Sequence, residues 1–140
     1  MEYEMMVRLL LAVIFGGAIG YVREIEGKAA GFRTHMLVCV GAALFTITSI
    51  LLAHSYNGVD PSRIASSVVI GIGFIGAGTI FKGGEEVKGL TTAASIWIAS
   101  AIGLAVGSGL YVISAFTTML ALLIIKGLNI FEQKYMKKGR

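Results

Sequence analysis

Residues 71–78 read GIGFIGAG, and the fold turns on what those four glycines are for. Their Gly-x-Gly-x-x-Gly spacing is that of a dinucleotide-binding turn. Such a turn must follow a strand, open a helix and present free backbone N–H groups to a phosphate. Here the glycines lie inside residues 64–81, an 18-residue run without a charge, and no acidic residue follows at the ribose-binding distance. The chain on both sides is equally apolar. The glycines therefore read as positions where membrane helices approach one another closely.

Composition carries the same message through the whole chain. Of 140 residues, 56% are hydrophobic and 14% charged, and the mean hydropathy is +0.81. Nineteen glycines against one proline leave most glycine inside helices, where membrane spans tolerate it best. A single cysteine, Cys39, excludes an intrachain disulfide and a cysteine-based zinc cluster. With no cleavage site before a polar region, the first apolar segment is expected to stay as an anchor. The expected fold is all-α: one integral membrane domain over residues 1–140.

A span needs about 20 mostly apolar residues. Residues 5–22, 36–54 and 64–81 qualify, the last preceded by Asp60 as a capping carboxylate and Pro61 at the first helical position. Residues 89–125 carry no charge; as one helix they would extend about 55 Å, nearly twice the hydrocarbon thickness. Gly107-Ser108-Gly109 divides them into spans at 91–106 and 110–126. Five spans result, followed by a short basic tail at 127–140.

Five spans put the termini on opposite sides. With the N-terminus outside, ten basic residues fall on the inner segments, and only Arg8 and Arg63 fall outside. That asymmetry is a positive-inside signal for the cytoplasmic membrane, with the C-terminus in the cytoplasm. The net charge of +4 is then a matter of orientation, and no nucleic-acid partner is expected. Lys134, Lys137, Lys138 and Arg140 interleave with Tyr135 and Met136, a pattern that also suits anionic lipid.

Small residues recur every four positions at Ala12, Gly16 and Gly20, at Gly73 and Ala77, and from Thr91 through Ser95, Ala99 and Gly103 to Gly107. Residues four apart share a helix face, so each set is a groove for another backbone. Gly71, Gly76 and Gly78 join them as helix-packing positions. Packing within one chain is the main reading, with one groove left for a homo-oligomer or another membrane protein.

No Asp or Glu lies in the middle of a span, which weighs against a proton- or cation-coupled transporter. A pore lined by the carbonyls of residues 71–78 is the transport alternative. Polar groups gather instead at the expected cytoplasmic rim: Arg23 and Glu24, then Arg33, Thr34 and His35, then Lys88, Thr91 and Thr92. Thr34 is a candidate cap for the second span. Exposed ion pairs and headgroup anchors would explain such a set, and so would a binding surface. His35 and His54, about 28 Å apart on one helix, cannot share a metal within one chain. His54 with Asp60 is too sparse for a site. Cys39 and Trp97 are expected to pack between helices. No nucleophile–base–orienter set stands out, so neither an enzyme nor a cofactor is expected.

Four segments occur in order: GGAIGYVRE (16–24), AGFRTHMLVCVGAALFT (30–46), DPSRIASSVVIGIGFIGAGTIF (60–81) and VKGLTTAASIWIASAIGLAVGSG (87–109). Together they resemble the MgtC/SapB family of bacterial membrane proteins. The resemblance implies a multi-spanning cytoplasmic-membrane protein tied to low-magnesium adaptation and, in pathogens, to survival within host cells. It implies a regulator of another membrane protein more than a magnesium transporter. The positions it marks are Arg23, Arg33, Thr34, His35, Asp60, Arg63, the glycines 71, 73, 76 and 78, and Gly89 to Thr92. Two features depart from the family pattern. Val22 stands where many relatives carry an acidic residue, with Glu24 close by, and some members continue into a soluble domain beyond the position of Arg140.

Overall fold

The computed structural model describes residues 2–127; the basic tail discussed above lies outside them, apart from Gly127. The described chain forms five α-helices: α1 (Glu2–Ile25), α2 (Phe32–Ser55), α3 (Ser62–Ala77), α4 (Leu90–Gly107) and α5 (Tyr111–Leu122). A π-helical turn at Leu123–Gly127 extends α5. Helices α1, α2 and α4 are long and apolar enough to cross a membrane, whereas α3 and α5 with its extension are shorter apolar helices.

The core is where α1, α2 and α4 meet. Ala12 and Ile19 of α1, Cys39 and Ala43 of α2, and Ile102 and Val106 of α4 are buried together, with Ala121 of α5 at the margin. Helix α4 touches all four other helices. Glycine makes this possible. A Cβ on Gly16 would stand 2.6 Å from the His35 carbonyl oxygen, and one on Gly20 would stand 2.7 Å from Phe32 Cα. On α4, a Cβ at Gly107 would lie 2.6 Å from the Ala43 carbonyl, and one at Gly103 would strike the carbonyl of Cys39. Backbones this close maximise dispersion contact, the main attraction between helices when lipid supplies no hydrophobic drive.

The remaining glycines behave differently. A side chain at Gly71 or Gly73 would meet nothing within 4 Å, and one at Gly76 would rest at an ordinary 3.6 Å from Ala93. Gly71 and Gly73 thus make no close helix approach inside the chain, contrary to the reading of the whole block as intrachain packing. Helix α3 lies at the side of the bundle, where Ile72 and Gly76 are buried and Val68 is half-buried against the same cluster, while Gly71, Gly73 and Phe74 are exposed. Trp97 also departs from expectation, being 51% exposed on the outer face of α4.

The third apolar segment is shorter than the expected 64–81. It ends at Ala77, and the Thr79 hydroxyl donates back to the Gly76 carbonyl. The chain then forms an antiparallel hairpin, β1 (Phe81–Gly83) and β2 (Glu86–Lys88), turning at Gly84 with φ +69°. Gly89 follows at φ +92°, where a Cβ would collide with the Thr79 carbonyl, so the return into α4 requires glycine.

Candidate functional site

Three helix ends converge at one end of the bundle: the C-terminus of α1 and the N-termini of α2 and α4. Close packing at Gly16 and Gly20 carries polar side chains out of solvent there. Arg23 is 2% exposed and His35 0%, with Thr92 and Ser95 also buried. A polar group buried in this way is costly unless it is hydrogen-bonded. The Arg23 guanidinium donates to Thr92 Oγ1 at 2.5 Å. His35 Nδ1 lies 2.8 Å from the Gly31 carbonyl oxygen, and its Nε2 lies 2.9 Å from Ser95 Oγ. The Ser95 hydroxyl is in turn 2.8 Å from the Thr92 carbonyl. One polar chain therefore links α1, α4 and α2 through their cores.

The donor inventory says what this chain can do. A carbonyl only accepts, so Nδ1 of His35 must carry a proton. Ser95 has one hydroxyl proton and two acceptors in reach, His35 Nε2 and the Thr92 carbonyl. Given to Nε2, that proton leaves a neutral imidazole. Given to the carbonyl, it leaves Ser95 Oγ accepting from a doubly protonated ring. Counted by hydrogen bonds alone, rotating one hydroxyl suits either form.

Glu24 works beside this chain. Its carboxylate accepts from the Phe32 N–H at 2.9 Å, capping the otherwise uncapped start of α2 from a different helix. Thr34, the expected cap, lies within the helix and does not cap it. A Cβ on Gly31 would collide with the Glu24 carboxylate, so glycine there opens the path. Among the described residues Arg23 pairs with Glu26 rather than Glu24, with Nη1 to Oε2 at 3.7 Å.

Of the residues singled out in the sequence, Arg23, Glu24, His35 and Thr92 meet at this end. Lys88 and Thr91 line an adjoining cavity of about 820 Å³, and Arg33 is exposed. Asp60 and Arg63 sit at the other end of the bundle, in the α2–α3 turn and the first turn of α3. There the Ser62 N–H donates to Asp60 Oδ1 at 2.8 Å. The Ser62 side chain and backbone hold the Asp60 carboxyl below the usual carboxylate range. His54 turns inward on its own helix, to the Ile50 carbonyl. At that same end Arg8 donates to the Gly107 carbonyl at 2.6 Å and pairs with Glu4, joining α1 to the α4–α5 turn. Ser95 was legible only as a small residue. The missed signal is its position three residues after Thr92, on the same helix face.

The MgtC family pattern matches residues 9–134. The chain belongs to the MgtC family. Among curated relatives, this MgtC-family chain is 44% identical to the Escherichia coli K12 protein named "Putative magnesium transporter YhiD", covering 99% of itself and 67% of that protein. It is 39% identical to Protein MgtC of Brucella abortus, over 91% of this chain and 54% of the relative. Identity to an uncharacterized Synechocystis protein is also 39%, over 91% of this chain and 55% of that one. The chain thus spans about half to two thirds of the length of these relatives. No solved structure matches it.

Proposed function

We propose that this chain is a non-enzymatic, magnesium-linked protein of the bacterial cytoplasmic membrane that regulates another membrane protein through helix contacts. The magnesium link comes from membership of the MgtC family and from the transporter name carried by the Escherichia coli relative. Five spans with the N-terminus outside agree with the charge asymmetry. Arg23, Lys28 and Lys88 stand at one end of the bundle, and Arg63 stands at the other.

One observation carries the regulatory reading. Helix α3 carries Gly73 and Ala77, four apart on one face and both exposed, with open space at Gly73, whereas Gly16, Gly20, Gly103 and Gly107 each lie against a neighbouring backbone. An uncovered small-residue face in lipid suits a partner helix. Crosslinking in native membranes under magnesium limitation, followed by purification, should recover one membrane protein repeatedly. Gly73→Leu, which has room to fold, should lose it. Recovery of no partner from either form would overturn the reading.

Transport of Mg²⁺ by an oligomer is the second reading, favoured by the name of the Escherichia coli relative. Against it, residues 71–77 lie within an α-helix, whose carbonyls are spent on its own hydrogen bonds. Liposomes containing the purified protein would show Mg²⁺ flux under this reading and stay tight under the first.

A further inference from the structure

We propose that the cavity between the first turn of α4 and the α1–α2 turn binds a phosphate group. The starting observation is Arg23. It lines the cavity yet is 98% buried (2% exposed), and its Nε–H has no hydrogen-bond partner among the described residues. Nη2 donates to Thr92 and Nη1 forms an ion pair with Glu26 at 3.7 Å, longer than a hydrogen bond, so Nε is the donor left over. A guanidinium kept dry and under-satisfied needs an acceptor. Its planar fork suits the paired oxygens of phosphate.

The surroundings point the same way. Thr92 Oγ1 accepts from Arg23, which leaves the hydroxyl's own proton for a ligand. Gly89 gives α4 no side-chain cap, so the N–H groups of its first turn are open to an anion, and the helix dipole favours negative charge there. Lys28 and Lys88 line the same space, and neither side chain forms an ion pair among the described residues. Among the described lining residues, three basic side chains thus face one carboxylate, that of Glu26. This donor count exceeds what a single carboxylate ligand could use.

The rest of the wall, including Leu90, Ile124 and Ile125, is apolar. A phospholipid would place its glycerol and upper acyl chain there and its phosphate against Arg23. A free phosphate would use the polar half alone. Both sources share one chemistry.

The full chain, purified in dodecyl maltoside, distinguishes them. In one arm, sodium phosphate is titrated calorimetrically against sodium chloride at matched ionic strength. In the other, native mass spectrometry compares phosphatidylglycerol with oleate, which is anionic but carries no phosphate. Saturable heat with phosphate supports a free-anion site, and selective retention of phosphatidylglycerol supports a lipid site. In whichever arm binds, Lys28→Gln/Lys88→Gln should weaken it by about tenfold or more, because each basic group near a headgroup contributes substantially. Both lysines are exposed, so the melting temperature should not move. Arg23→Lys keeps the charge but loses the fork, and should also weaken binding. No binding in either arm, equal retention of oleate with no phosphate heat, or binding untouched by the double lysine variant would overturn the proposal.

Discussion

Helices α4 and α3 both carry small residues four apart, yet they use them in opposite ways. On α4, Ser95, Ala99, Gly103 and Gly107 are all buried, and the two glycines press against the α2 backbone. On α3, Gly73 and Ala77 are exposed, and nothing lies within 4 Å of the space a Gly73 side chain would fill. The spacing establishes that small residues share a helix face. It does not establish that another helix covers that face, because coverage depends on where the helix sits in the bundle. A central helix must be narrow on several sides, whereas a flanking helix needs only one.

The largest expected effect tests this contrast directly. Gly103→Leu should destabilise the fold by about 3 kcal/mol, because its Cβ alone would already strike the Cys39 carbonyl and the backbones would have to separate. Gly73→Leu should change stability by no more than about 0.5 kcal/mol, as surface substitutions usually do. Thermal unfolding in detergent measures both. Equal losses would mean that the α3 face is covered after all.

The serines offer a smaller test of the same comparison. Ser95 on α4 bridges His35 and the Thr92 carbonyl, whereas Ser66 and Ser67 on α3 only bond back to the Arg63 carbonyl on their own helix. Ser95→Ala should cost about 1 kcal/mol, the scale of an interhelical hydrogen bond in a membrane protein. Ser66→Ala should cost close to nothing. A cost for Ser66 matching that for Ser95 would place an unseen partner against α3.

These contrasts explain how far the sequence could be read. Apolar runs and the Gly107-Ser108-Gly109 break located all five helices, because run length and glycine turns are local properties. The end of α3 was misplaced because residues 78–81 are as apolar as the helix. The hairpin that follows instead brings Gly89 against the Thr79 carbonyl, a non-local fit that no local pattern shows. At the site, Arg23, His35 and Thr92 stood out by residue type. Their connection through Ser95, and the capping of α2 by Glu24, depend on how closely three helices cross. The place of Trp97 within the fourth span, away from an obvious interface, suggests packing between helices, but an aromatic ring on a membrane bundle can equally well face lipid.

The smallest effect belongs to Asp60, at the opposite end from the buried polar chain. Its carboxylate accepts from Ser62, which holds its pKa below the ordinary value. A carboxyl whose folded pKa is lowered stabilises the fold fully above its unfolded pKa of about 3.9, and that contribution is lost as pH falls through the lower folded value. Because Asp60 is fully exposed, solvent screens the interaction, and the effect should be smaller than that of Ser95→Ala. Melting temperatures should therefore dip slightly below pH 4. Glu4, held low by Arg8, contributes to the same dip, so Asp60→Asn, whose side-chain oxygen can still accept from the Ser62 N–H, should shrink it while leaving neutral-pH stability nearly unchanged. An Asp60→Asn variant that melted far earlier at neutral pH would show instead that the α2–α3 turn bears a charge interaction comparable in weight to the buried site.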